Sequence, residues 1–476
     1  MSTTEPGLSP LDALAARARA EAAAQSHPSR PWLRRPPGAP GDLHDVVVVG
    51  GGQSALGVAF GLKREGIADV VCLDAAPAGA EGPWLGYARM ATLRTPKELV
   101  GLEYGQPSLG FRAWHAARYG AAAWDAMERI PRADWAAYLD WYRRTTGADV
   151  RNGTRVRRIE PAAHGFDLNC EGPSGPSLYR ARRVVLATGF EGSGAWEVPD
   201  HVRRSLPPER YAHSNGPIDP ARVTGKRVAI LGHGASAFDN AVWALDNGAV
   251  SVDICFRRAK LPEINPHRWA EFAGFLDHFH ELPDALRWSL SRAFRVMDQP
   301  PTKTGVDAAR ARPNCRVRPG TDWLAVREAD GAVRIDTPKG TLAADFLICA
   351  TGLVTDLARR EELAAFADRI ARWADRYAPP PGEEHAGLAA APYLGPHLEF
   401  TERAPGTAPF LSRLYCFSYA AGVSHGGQCA SISGHRYALP RLVRGIVRGF
   451  FLDQADSLQA DLAAYDAREI LLPAAE

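Results

Sequence analysis

Two stretches of this chain read the same way, and that repetition limits the fold more than anything else in it. The first is Asp45–Asp74, DVVVVGGGQSALGVAFGLKREGIADVVCLD. Val46–Val49 is a short β-branched run, the pattern of a strand buried on both faces of a parallel sheet. It runs into Gly50-Gly51-Gly52-Gln53-Ser54-Ala55, a G-x-G-x-x-A turn that opens a helical pattern ending near Gly66, and Val70–Leu73 then delivers Asp74. The second stretch repeats this as the strand Val228–Leu231, the turn Gly232-His233-Gly234-Ala235-Ser236-Ala237, a helix, and the strand Val252–Phe256 ending in Arg257-Arg258.

A turn of this kind suits a dinucleotide. Gly50 makes the tight turn, Gly52 lets a pyrophosphate approach the backbone, and Ala55 allows close helix–strand packing. Ser54 lies in the first helical turn, where free N–H groups and the positive dipole end face the phosphates. Asp74, about twenty residues after the turn, can accept ribose hydroxyls.

The duplication continues downstream. Val150–Glu160, a hairpin and Ala181–Phe190 in the first half match Arg318–Glu328, a hairpin and Ala344–Leu353 in the second. Both end in an Ala-Thr-Gly step, Thr188-Gly189 and Thr351-Gly352. Two copies imply two bound nucleotides. The acid at Asp74 suits a free ribose diol, as in FAD. Arg257 and Arg258 can pair with a 2′-phosphate and stack on adenine, which selects NADPH for the second site.

The expected architecture is α/β. It has two Rossmann-like dinucleotide-binding domains, the NADPH domain inserted into the FAD domain, and a helical insert. Residues 1–43 form an N-terminal arm, 44–220 the first part of the FAD domain, and 221–355 the NADPH domain with the insert at 261–313. Residues 356–476 return to the FAD domain and end in a C-terminal helix. In the arm, Ser9 and Pro10 open a helix to about Ala24, and Trp32 either anchors a docked arm or belongs to a loose tail. The insert's aromatics (Trp269, Phe272, Phe275, Phe279, Trp288, Phe294) fit a small helical cap with its own core. Leu439–Asp453 reads as an amphipathic closing helix rather than a membrane contact.

Composition excludes several classes. A net charge of +2 gives no nucleic-acid surface. The seven cysteines contain no C-x-x-C pair and no metal-ligand spacing, which argues against a disulfide scaffold, a zinc site or a dithiol reductase and fits a cytoplasmic setting. No apolar run is long enough to cross a membrane.

These turns, the Ala-Thr-Gly strands and Arg257-Arg258 resemble the class B flavoprotein monooxygenases over about residues 44–450. Three further stretches resemble the N-hydroxylating, ornithine/lysine N-monooxygenase-like branch. One is His213-Ser214 before the second turn, where the Baeyer–Villiger signature is not matched. Another is Met90–Val100, with Lys97 standing for the family lysine. The third is Gly422–Ser431, GVSHGGQCAS, similar to a turn that approaches the flavin ring. Asn265 is an imperfect match to the branch's substrate asparagine, and Arg94-Thr95-Pro96 departs from its usual residues.

The resemblance implies that NADPH reduces FAD and that O₂ adds to the reduced flavin as a C4a-(hydro)peroxide. The distal oxygen then goes to a small-molecule substrate, an amine or amino acid by this branch's chemistry. It places Trp84 beside the flavin, with Lys97 and Arg94 as catalytic cations near the ring, although Lys97 also reads as a surface lysine in a loop. Ala187, Thr188 and Gly189 would line the FAD crevice, Val156 would offer backbone to the adenine, and Gly426 and Gly427 would start a helix facing flavin O2. His213 and His425 read equally well as packed histidines. S-oxygenation or Baeyer–Villiger chemistry, electron transfer without oxygenation, and a non-catalytic redox sensor remain open alternatives. The arm and the 377–410 loop are surfaces available for self-assembly.

Overall fold

The computed structural model describes residues 8–99 and 101–470; residues 1–7 of the arm, residue 100 at the end of the Met90–Val100 segment, and 471–476 lie outside them. The arm helix α1 (Pro10–Ala24) starts where Ser9 accepts the Asp12 N–H at 3.2 Å. The arm docks: Trp32 packs against the main core and its Nε1 donates to the Glu65 carbonyl at 2.8 Å.

The first duplicated unit is β1 (Leu43–Val49), α2 (Gln53–Arg64) and β2 (Val70–Leu73). It continues through β3 (Asp149–Arg151), β4 (Arg155–Ala162), β5 (Gly165–Gly172) and β6 (Gly175–Leu186). The strands form one sheet in the order β3-β2-β1-β6-β5-β4. Val46, Val47 and Val48 are fully buried, as a strand covered on both faces requires.

The second unit is β7 (Tyr211–His213), β8 (Arg227–Leu231), α3 (Ala235–Asp246), β9 (Ser251–Phe256), β10 (Cys315–Pro319) and β11 (Phe346–Cys349), ordered β10-β9-β8-β11-β7. In both sheets the strand before the glycine turn is central, flanked by the next strand and by the Ala-Thr-Gly strand. Two details differ from expectation. β7 pairs with β11, so residues 211–213 belong with the second sheet rather than the first. The second hairpin (325–344) also forms a separate three-stranded sheet, because its last strand (Gly340–Ala344) ends before β11 begins, whereas β6 runs unbroken from Gly175 to Leu186.

The chain then returns to the first sheet through β12 (Leu414–Cys416), which pairs parallel with β6. The closing helix α4 (Ile432–Asp453) is longer than the Leu439–Asp453 pattern and lies on α2. The approach is tight: a Cβ at Gly57 would meet Leu439 Cδ1 at 2.6 Å. Its Arg441 is buried and paired with Asp277 Oδ1 at 2.8 Å, so this face is an interior one. Among the described residues, no helix is long and apolar enough to cross a membrane.

The insert carries four short helices between Pro266 and Arg310. Phe275 and Phe279 make the small core expected of it. Trp288, however, is buried with Trp373, Leu388 and Val423, which ties the insert and the 377–410 loop to the first domain.

Candidate active site

The two glycine turns face one cleft of about 1230 Å³, walled also by the insert and the 427–433 turn. At its first end Gly50 adopts φ 120°, and a Cβ there would meet the Ala187 carbonyl oxygen at 2.5 Å, so only glycine fits. Gly52 caps α2 with no side-chain hydrogen bond, leaving the first helical N–H groups free. A Cβ there would find only Gly82 backbone, at 3.8 Å. Ser54 and Val156 line this end, while Ala55 is buried against the sheet. Thr188 Oγ1 and Trp84 Nε1 are buried without partners among the described residues, and both residues line the cleft with Gly189. An uncapped helix start, backbone room above it and unused polar atoms beside it fit an FAD.

Asp74 lines the cleft and also serves the turn itself. Its Oδ2 accepts the Gly51 N–H at 2.6 Å and its Oδ1 the Ala76 N–H at 2.7 Å. Burial raises its pKa, and the two backbone donors work against that rise. Each oxygen keeps a lone pair for a ribose hydroxyl.

The second turn repeats the geometry. Gly232 has φ 142°, with the Ala350 carbonyl oxygen 2.4 Å from a would-be Cβ. Gly234 is an uncapped helix start with nothing within 4 Å of a Cβ. Gly234, Ser236, Thr351 and Gly352 line the cleft, whereas Gly232 and Ala237 support it from behind. Arg257 is exposed at the end of β9. Arg258 is partly engaged, 3.4 Å from Asp298 Oδ2, which also contacts His233 Nε2 at 2.8 Å. The insert thus brings an acid to a position the local sequence leaves basic.

The flavin-facing expectations divide. Arg94 lines the cleft and donates to the Pro300 carbonyl; burial is the main cause of its lowered pKa. Lys97 does not line it. Its Nζ donates to the carbonyls of Trp124 at 2.7 Å and Met127 at 2.6 Å and lies over the Trp124 ring, so it braces a loop and is no cation at the ring. Gly427 lines the cleft but Gly426 backs onto Phe279, and the helix starts only at Ile432. Asn265 accepts the His267 N–H at 3.1 Å, capping its own helix. His213 is a packed histidine: it stacks on Trp196, Nε2 donates to Gly352, Nδ1 accepts from Asn215, and burial lowers its pKa to about 4. His425 is fully buried between Gly395 and Arg441, and that burial holds it neutral.

Among the cleft residues that the sequence reading did not single out are Arg129, Asp239, His267 and Gln428. Asp239 was within reach, three residues after Ser236 on the same helix. The insert's His267 carried no local signal.

Two dinucleotide-binding units sharing one cleft define a fold built to hold two nucleotides face to face. The comparisons agree. A family model described as FAD-NAD(P)-binding matches residues 47–191, and one described as L-lysine 6-monooxygenase/L-ornithine 5-monooxygenase matches 123–304. A protein of Xanthomonas campestris pv. campestris named FAD-dependent urate hydroxylase is 45% identical over 447 residues, 94% of each chain. Among solved structures, ornithine N-hydroxylase of Kutzneria sp. 744 has a TM-score of 0.66 at 16% identity, covering 86% of this chain and 99% of that one. Ornithine hydroxylase of Pseudomonas aeruginosa has 0.65 at 18%, covering 85% and 99%. The chain belongs to the class B flavoprotein monooxygenases, on the lysine/ornithine N-monooxygenase-like branch. It is a flavin-dependent monooxygenase whose cofactors are FAD and NADPH.

Proposed function

We propose that this monooxygenase hydroxylates urate or a closely related oxidised purine, with FAD on the Gly50–Asp74 turn and NADPH on the Gly232–Arg258 turn. The observation that carries the reading is the 45% identity to a FAD-dependent urate hydroxylase along 94% of both chains. The side chains of the site support a substrate other than the amino acid that the branch resemblance implied. Of the groups the resemblance offered an amino acid, Lys97 is spent on the Trp124 and Met127 carbonyls and Asn265 Oδ1 on the His267 N–H, while Arg94 still faces the cleft.

Bound FAD, reduced by NADPH, supplies the oxygen-activating chemistry. The protein holds and screens the partners. Gly52 and Gly234 let the two pyrophosphates reach uncapped helix starts. Arg94, held by Pro300, presents positive charge to an anionic substrate or reduced ring. Pro300 and Pro301 wall the cleft with groups that carry no N–H, which helps exclude water. Seven unpaired cysteines support a cytoplasmic setting.

The test is NADPH- and O₂-consumption with urate, xanthine, ornithine and lysine as substrates, with product analysis. Coupled turnover of urate, one NADPH per molecule, is expected. Coupled turnover of ornithine or lysine with none of urate would return the enzyme to amine N-hydroxylation.

A further inference from the structure

At the insert end of the cleft, four polar side chains converge that no nucleotide role absorbs. Asp239 projects from the second turn of α3, lines the cleft, and makes no hydrogen bond or ion pair to any described residue. Arg94 is the charge that acts on it from the opposite domain. The same Arg94, with Arg295, helps to lower the pKa of His267, whose main cause is burial. The His267 ring lies over Gly427, with Cε1 3.5 Å from a would-be Cβ. Gln428 is 92% buried; its Nε2 donates to the His267 carbonyl at 3.0 Å, while its Oε1 is buried without a partner.

The inventory is specific. Asp239 as carboxylate and Gln428 Oε1 are acceptors that want N–H donors. Arg94 is a donor fork that wants an anion or carbonyl oxygens. His267 is held neutral and offers a flat wall. A ring bearing alternating N–H and C=O groups and one negative charge answers all four at once. A flexible diamino acid brings an ammonium to Asp239 but nothing flat for His267.

Resting on the proposed oxidised-purine function, we propose that Asp239, Arg94 and Gln428 form the substrate-recognition set, with Asp239 and Gln428 Oε1 accepting ring N–H bonds and Arg94 binding the ring's anionic oxygen side. An unpaired carboxyl shielded from water is costly, and burial pushes Asp239 up to about 6. Arg94 is also the residue that keeps Asp239 from rising further.

The experiment is a thermodynamic cycle on the oxidised FAD-loaded enzyme, read by flavin absorbance or calorimetry. Urate and 1,3,7-trimethylurate, which lacks most ring N–H donors, are titrated into wild type and Asp239→Ala. Wild type is expected to prefer urate by about tenfold or more, the scale of one charged hydrogen bond, and Asp239→Ala is expected to lose most of that preference. Asp239→Asn, which keeps an acceptor oxygen, should recover part of it. An equal preference in Asp239→Ala overturns the assignment while leaving the urate function standing. So does a rise in the NADPH requirement with urate binding intact, since the carboxyl would then serve the nicotinamide. Failure of wild type to bind urate overturns the function and the recognition set together.

Discussion

The two glycine turns share a backbone and differ in what surrounds it. In both, the first glycine is locked by a carbonyl oxygen from the neighbouring Ala-Thr-Gly strand, Ala187 in one unit and Ala350 in the other. Beyond that the first turn is closed: Asp74 bonds back to Gly51, and the Gly82–Trp84 segment covers it. The second is open, with free space around Gly234 and an exposed Arg257. A closed turn suits a cofactor that stays, and an open one suits a coenzyme that comes and goes with each turnover.

Breaking the closed turn should have the largest effect. Gly50→Ala forces a Cβ into the Ala187 carbonyl at a positive φ, a cost of roughly 3 kcal/mol or more by the strain such positions carry. Loss of flavin and a drop in Tm are expected, measured by the 450 nm absorbance of purified protein and by thermal melting. Charge reversal at the open turn should be next. Arg257→Glu is expected to raise KM for NADPH about 10- to 100-fold with a much smaller effect on NADH. Equal effects would mean that the 2′-phosphate lies elsewhere. Asp74→Asn comes third: the backbone contacts partly survive, and FAD affinity should fall by about tenfold, read by flavin release on dilution.

The smallest effect concerns Asp239, on the helix of the open turn. Its folded pKa, about 6, lies above the unfolded 3.8. The native state therefore binds more protons across that window, and stability falls as pH rises from about 4 to about 6. Asp239→Asn removes the penalty. It should stabilise the substrate-free enzyme at pH 8 by about 1 kcal/mol, since the amide keeps part of the desolvation cost, and have little effect at pH 4, measured by denaturant melts at both values.

The α/β fold was legible because valine runs and glycine turns are local signals with strict geometric demands. Gly50, Gly52, Gly234, Thr188 and Gly189 stand where the pattern puts them. Boundaries were less legible, since β7 joins the second sheet through a pairing with residues 347–349 that no local pattern announces. Side-chain roles near the flavin failed most at Lys97. A lysine three residues from Arg94 looks equivalent on paper, but two carbonyls from 124 and 127 capture it. Asp298 reaches the second turn from the far end of the insert, beyond any motif's range.

The division of labour between the turns is tested most directly at Gly234. A side chain fits there without steric conflict, so Gly234→Asp should fold, yet its carboxylate would occupy and repel the pyrophosphate site. The measurement is rapid-mixing reduction of the purified variant by NADPH and, separately, by dithionite. A full complement of FAD, normal reduction by dithionite and loss of reduction by NADPH are predicted. A variant that loses FAD while the remaining flavin is still reduced normally by NADPH would contradict the assignment of the two nucleotides.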